Sequence, residues 1–363
     1  MKKVVVHGCY HTRNFGDILM LDLIGRRLNA KKECTVSSPW LHENELGNID
    51  VEYGGGIKGC FLKDVAILGG GGYLVDEEGD SRSTQRLLRY SVPARIWRIF
   101  NVPYSIVGVG VGPELTARGA KRVRYICDGA KNITVRDDES KALLVEIGVN
   151  EAKIAVTADF VMGLTKNDIP AGFVIKAKNL LASCDKTKRK FGLHISVGQN
   201  KAHIIENIAI KLAKGLGENS DAQIVWLFDH SIANLDIIKN INSKYFKDAV
   251  IIDKQDHWTT VALLSELDAV LTTKLHVGIT SWALGVSPCS LANHGKTKRF
   301  YRQIDREDFH TSLSENNTVV SEWGRMFVEE PEAFNRDNLE RRKKYSALSK
   351  SNFDIVEKFI DLV

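Results

Sequence analysis

Two doubly wound α/β domains are what this sequence predicts, and three observations predict them. Its 363 residues exceed what one hydrophobic core usually supports. Short β-branched apolar runs alternate with amphipathic stretches, which implies parallel sheets with helices on both faces. The alternation then lapses once, near the middle, and restarts.

In the first half, strands are predicted at Val4–His7, Cys34–Ser37, Val65–Leu68, Tyr104–Val109, Ile133–Val135 and Ile154–Ala158. Val4–Val6, Ala66–Leu68 and Ile106–Val109 supply the continuous apolar sequence that a strand buried on both faces needs. Helices are predicted at Asp17–Asn29, Arg82–Tyr90, Thr116–Gly129 and Glu139–Ile147. The stretch from Gly163 to Lys190 lacks a strong strand and carries Pro170 and a basic run, so residues 166–190 read as a linker. Strands resume at Gly192–Val197, Ile224–Phe228, Val250–Ile252, Ala269–Thr272 and Pro288–Leu291. The expected domains are therefore 1–165 and 191–330. A periodic, charged helix from Asn335 to Ile360 lies within a tail, 331–363, read as packing back on the first domain.

Composition narrows the function. A hydrophobic fraction of 44% with 26% charged residues describes an ordinary globular protein. The net charge of +5 is spread evenly, with 22 basic against 20 acidic residues to position 165 and 28 against 25 beyond it. That evenness excludes a basic nucleic-acid arm, while a mild positive balance suits anionic small substrates or an anionic membrane surface. Cys9, Cys34, Cys60, Cys127, Cys184 and Cys289 are scattered singly. They argue for reduced thiols in a cytoplasmic protein and against a zinc site or a disulfide framework. The first apolar run is too short for a signal peptide. The longest uncharged stretch, Leu275 to Gly295, contains Gly278, Gly285 and Pro288 and reads as helix, turn and strand rather than a membrane span.

The most informative residues are Thr272-Thr273-Lys274-Leu275-His276 and, twenty positions on, Lys296 within His294-Gly295-Lys296-Thr297-Lys298. A buried strand precedes the first group and a helix follows, with a threonine as the expected N-cap and His276 in the first turn. Free N–H groups and the helix dipole favour an anion there, and a histidine can also supply a proton near neutral pH. Lys296 adds a charge at the next strand-to-helix turn, with Arg299 in support. The competing readings are a buried structural histidine and a solvated basic face. Arg136 follows a predicted strand end, where it either grips a carboxylate or phosphate with two parallel hydrogen bonds or pairs with a neighbouring acid. Asn14-Phe15-Gly16-Asp17 opens the first helix. It reads as a capping turn or as a site where Asp17 orients or deprotonates a hydroxyl; orientation is the safer role, because a helix start stabilises the carboxylate. The runs containing Gly70, Gly71, Gly72 and Gly110 lack the spacing of a nucleotide-binding loop and read as tight turns lining a ligand cleft. From Ser81 to Phe100 there are five arginines and no acid, with Tyr90, Trp97 and Phe100: a basic helix face or a patch for anionic head groups.

Taken in order, Asn14–Asp17, Gly69–Gly72, Gly108–Gly112, Val135–Ser140 and Asp256–Phe300 resemble the polysaccharide pyruvyl transferase family. The resemblance implies two Rossmann-like domains facing across a cleft, a GT-B-like architecture. It also implies transfer of the enolpyruvyl group of phosphoenolpyruvate onto two hydroxyls of a sugar, giving a cyclic pyruvate ketal. The family's Arg, His and Lys contacts to phosphoenolpyruvate map onto Arg136, His276 and Lys296. Relatives commonly carry Arg where this chain has Lys274, which removes a bidentate fork. Phosphoenolpyruvate is then donor substrate, no cofactor or metal is called for, and the acceptor is a sugar, free or linked to nucleotide or lipid. Two alternatives remain open: a nucleotide-sugar-dependent glycosyltransferase of the same architecture, and a non-catalytic sugar- or nucleotide-binding protein.

Overall fold

The chain divides into two units, Met1–Gly163 with Lys343–Val363, and Leu164–Arg342. The computed structural model describes residues 1–12, 14–31, 33–41, 49–76, 81–196, 202–217, 220–228, 235–314, 317–336 and 338–363, leaving aside the side chains of 81–84, 86, 202 and 235.

The first unit is built on seven strands: β1 (Lys2–His7), β2 (Cys34–Ser38), β3 (Glu52–Tyr53), β4 (Val65–Asp76), β5 (Tyr104–Leu115), β6 (Ile133–Val135) and β7 (Ile154–Val156). They form one sheet in the order β3-β2-β1-β4-β5-β6-β7, with every pair parallel. Val4, Val5, Val6, Ala66, Ile67 and Leu68 are fully buried, as strands covered on both faces require. Helices α1 (Phe15–Asn29), α2 (Ser81–Ile99), α3 (Ala117–Gly129) and α4 (Asp138–Glu146) connect the strands. The strand order reverses between β1 and β4, so the carboxyl ends of those two strands flank the crevice where open α/β sheets take their ligands.

Two sequence expectations change here. The glycine runs were expected in turns after short strands, yet they lie inside the long strands β4 and β5. Gly70 and Gly71 take φ of 51° and 98°, and the β4–β5 register slips between Gly71 and Leu74. Glycine tolerates that backbone, so the ladder bends there and continues. The second helix was expected to stop at Tyr90, before Pro93, but α2 runs on to Ile99. Leu87, Tyr90, Ala94 and Trp97 are all fully buried, and this packed face carries the helix across the proline.

The second unit repeats the plan. Strands β8 (Arg189–His194), β9 (Ala222–Leu227), β10 (Val250–Ile252), β11 (Ala269–Thr272), β12 (Ser287–Leu291) and β13 (His310–Thr311) pair in the order β10-β9-β8-β11-β12-β13, all parallel, with the reversal between β8 and β11. Residues 166–190, read from sequence as a linker, contain helix α5 (Ala171–Leu180) and belong to this unit. Lys166 donates to the Ser265 carbonyl at 2.8 Å and Lys176 pairs with Asp256 at 2.9 Å. Helices α6 (Ala202–Leu216), α7 (Leu235–Tyr245), α8 (His257–Ser265), α9 (Leu275–Ala283), α10 (Gly295–Gln303), α11 (Val319–Glu329) and α12 (Pro331–Phe334) complete it.

The last helix, α13 (Leu339–Leu362), begins in the second unit and belongs to the first from Lys343 onward. Asn352, fully buried, locks it there. Its side-chain oxygen accepts from Thr134 and Thr157, both at 2.8 Å, and its amide donates to the Ala158 carbonyl at 2.7 Å. Among the described residues, no helix is long and apolar enough to cross a membrane.

Candidate functional site

In the second unit, the neighbouring strands β11 and β12 each hand the chain to a nine-residue helix at their carboxyl ends. Lys274 is the N-cap of α9 and His294 the N-cap of α10, so His276 and Lys296 occupy the same place in the two first turns. Neither helix start is closed by a capping side chain, and neither first turn holds an acid. Both therefore present backbone N–H groups, the positive end of a helix dipole and one basic side chain. Parallel neighbours lie about 4.8 Å apart, so two such starts on adjacent strands reinforce one another for a multiply charged anion. His276 and Lys296 are half-buried, as are Lys274 and Arg299, while His294 is exposed.

The expected threonine N-cap is not formed. Thr272 Oγ1 accepts instead from the Lys274 N–H at 3.0 Å, and Thr273 Oγ1 accepts from the Ser196 N–H at 2.9 Å. The second bond ties the end of β11 to the end of β8, across the reversal point. His194 closes β8 with its ring nitrogen 3.3 Å from Thr272 Oγ1. It was not among the predicted site residues; a strand-terminal histidine beside a strand-terminal threonine was the available signal.

Packing beneath these turns fixes their separation. Thr280 Oγ1 donates to the His276 carbonyl at 2.7 Å. A Cβ placed on Gly278 would lie 3.2 Å from the Tyr301 hydroxyl, so α9 and α10 approach closely because that residue has no side chain. Tyr301 is fully buried and stacks on His310.

In the first unit, the predicted residues gather around two places. Asn14 takes the N-cap position of α1, but its amide donates to Asp17 Oδ2 at 3.2 Å and to Thr12 Oγ1 at 2.8 Å, and Thr12 Oγ1 also donates to Asp17 at 3.1 Å. Asp17 is 6% exposed and the hydrogen bonds from Thr12 and Asn14 hold it in place; Gly16 beside it is buried. The glycine run packs on this turn. A Cβ on Gly71 would sit 3.4 Å from Asp17 Oδ1, and one on Gly70 would sit 2.7 Å from the Met20 sulfur. Gly72 is the half-buried member. The run thus lets β4 meet the first turns of α1 at the β1/β4 reversal.

Arg136 follows β6 and is 6% exposed. Its guanidinium meets Asp159 at 3.1 Å and Asp137 at 3.7 Å, so the neighbouring-acid reading is realised. A Cβ on Gly110 would lie 2.7 Å from Arg136 Nε, so Gly110 is what lets the guanidinium lie against β5. Asp159 was missed by sequence reasoning, although it ends the turn after β7 much as Arg136 ends β6.

A family model described as polysaccharide pyruvyl transferase matches residues 11–295, from just after β1 to the start of α10. The chain belongs to the polysaccharide pyruvyl transferase family. Among solved structures, this family member is similar to UDP-GlcNAc 2-epimerase from Neisseria meningitidis bound to UDP-GlcNAc, at 13% identity and TM-score 0.69, with 100% of both chains covered. It is similar to UDP-GlcNAc 2-epimerase from Methanocaldococcus jannaschii, at 16% identity and TM-score 0.67, with 99% of each chain covered. Anabaena HepE in complex with UDP and glucose matches at 10% identity and TM-score 0.57, covering 100% of this chain and 98% of that one. At such identities the likeness is one of fold: two Rossmann-like halves. No curated protein matches the pyruvyl transferase by sequence.

Proposed function

We propose that this pyruvyl transferase uses phosphoenolpyruvate as donor and forms a cyclic pyruvate ketal on a sugar. The observation that carries the proposal is the pair of helix starts without a side-chain cap at adjacent strand ends, with His276 and Lys296 at matching positions. A donor with a phosphate and a carboxylate needs such paired anion sites, and Lys296 with the two helix ends offsets their charge before reaction. Lys274 and Arg299 border the same turns. By its likeness to the family's arginine, Arg136 is a further proposed contact to phosphoenolpyruvate; its tie to Asp159 holds the guanidinium in one orientation.

In this scheme His276 gives a proton to the methylene carbon of phosphoenolpyruvate, leaving an oxocarbenium-like centre at the adjacent carbon. A sugar hydroxyl adds there and loses its proton. The bond from that carbon to the phosphate oxygen breaks, and phosphate departs with the electron pair. A second hydroxyl closes the ring, and its proton restores the balance. Asp17, held as an acceptor of two hydrogen bonds, orients a sugar hydroxyl rather than acting as a strong base. The fold shared with UDP-sugar-binding proteins supports a nucleotide-linked acceptor and equally keeps a glycosyltransferase reading alive.

The test is calorimetric. Phosphoenolpyruvate should bind the protein, and Lys296→Ala should weaken that binding by roughly ten- to a hundredfold, the worth of about 1.5–3 kcal/mol for a charge-assisted contact. Tight binding of a nucleotide sugar at the same residues, with none of phosphoenolpyruvate, would favour the glycosyltransferase.

A further inference from the structure

Between Ser81 and Gly129, the segment holding α2, β5 and α3, there are nine Lys and Arg and two acids, while the whole chain is only +5. The rest of the molecule is therefore slightly acidic, and its positive charge sits on one helical layer. Successive right-handed crossovers from β4 to β5 to β6 place α2 and α3 on the same face of the first sheet.

The outer side of α2 is also apolar. Leu88, Val92 and Ile99 are 40%, 39% and 63% exposed and recur at helical spacing, while Arg89, Arg95 and Arg98 are exposed among them. At the end of the helix Phe100 is 57% exposed and its ring meets Phe61 edge-on at 5.3 Å. Next to Phe61 stands Leu62, 87% exposed with φ of 53°. An outward-facing leucine in left-handed backbone is unfavourable on its own account and persists where surrounding structure or function demands it.

We infer that this face, α2 with the Phe61–Leu62 turn, docks on an anionic lipid surface. Isolated arginines would suit any polyanion, but a stripe of exposed Leu, Val, Ile and Phe flanked by arginines matches the boundary between head groups and acyl chains. A two-fold contact with a second copy would set arginines against arginines. An acceptor carried on a membrane-bound lipid would then reach the protein by diffusion in two dimensions. The inference stands apart from the chemistry at His276.

Vesicle flotation with the full chain tests it, using phosphatidylcholine alone or mixed with phosphatidylglycerol. The protein should float with the anionic vesicles, and high salt should release it. Arg89→Ala with Arg95→Ala should lower partitioning by more than tenfold, at about fivefold per arginine. Ile99→Glu with Phe100→Glu should abolish flotation without changing the melting profile, because both side chains are exposed. Wild type that stays unbound, or paired variants that float like wild type, would overturn the proposal. So would a dimer in solution that Ile99→Glu with Phe100→Glu disperses, which would assign the face to a second copy.

Discussion

His276 and Lys296 occupy matching helix positions but carry different chemistry, and substitutions separate them. His276→Gln keeps a hydrogen bond to phosphate and cannot donate a proton at working pH. It should retain most donor affinity while turnover falls by roughly 10²–10⁴, the usual size of a general-acid contribution. His276→Ala should lose affinity as well, because the contact itself disappears. A glutamine variant with near-normal turnover would reduce His276 to a positioning role. Arg136 makes a different case. Its charge is compensated by Asp159, and the flat approach to Gly110 leaves no space for a side chain at that position. Gly110→Ala should therefore displace the guanidinium and weaken phosphoenolpyruvate binding, while Asp159→Asn should loosen its orientation. Donor isotherms unchanged in both would remove Arg136 from the site. Sequence alone placed these side chains at strand ends and helix starts, because residue type and spacing show that directly. It could not show which acid Arg136 pairs with, since Asp159 lies 23 residues away and meets it only through the β6–β7 pairing.

Among the elements, α9, α13 and the β1–α2 contact each carry a separable expectation. Gly278→Ala forces a Cβ to 3.2 Å from the Tyr301 hydroxyl, so that side chain must give by a few tenths of an ångström where α9 meets α10. Turnover should fall more than stability, and equal losses would mean a merely structural contact. Asn352→Leu removes the buried partner of the Thr134 hydroxyl and of the Ala158 carbonyl, while Thr157 keeps its bond to the Val135 carbonyl at 3.3 Å. It should cost about 1–3 kcal/mol for each group left unsatisfied, read from denaturant unfolding. Beneath α2, burial pushes the His7 imidazole down to about 3, with its Nε2–H donating to the Arg89 carbonyl at 2.9 Å. The unfolded chain therefore binds a proton that the folded one refuses between about pH 6.5 and 3. Stability should fall with acidification across that window, by up to about 1.4 kcal/mol per pH unit from this group, and His7→Gln should flatten the limb in thermal melts. Strand cores such as Val4–Val6 were legible from apolar continuity alone. The lengths of β4 and β5 were not, because a glycine run reads as a turn until its neighbours show a bent ladder. The course of α2 past Pro93 was equally hidden, since only tertiary packing of Tyr90, Ala94 and Trp97 sustains it.

At the scale of the whole molecule, two parallel sheets each reverse strand order once, and the residues singled out for chemistry lie at those reversals or, for Lys296 and Arg136, after strands further along the same sheet. None of the six cysteines is in a disulfide, and burial pushes the thiols of Cys60 and Cys289 up to about 12. Six thiols should therefore titrate after unfolding without reductant, and fewer than six would contradict the structure. The charge balance of the chain looked even when counted by halves, which hid the basic layer of α2 and α3; only the topology assigns those helices to one face. The central claim concerns the donor, and labelled phosphoenolpyruvate tests it most directly. With carbon-13 at the phosphate-bearing carbon, the protein and a panel of nucleotide- and lipid-linked sugars should give an acceptor heavier by pyruvate less water, a carbon-13 signal at a ketal carbon, and one phosphate per product. Transfer of a sugar from a nucleotide donor, with the label left wholly in phosphoenolpyruvate, would contradict it.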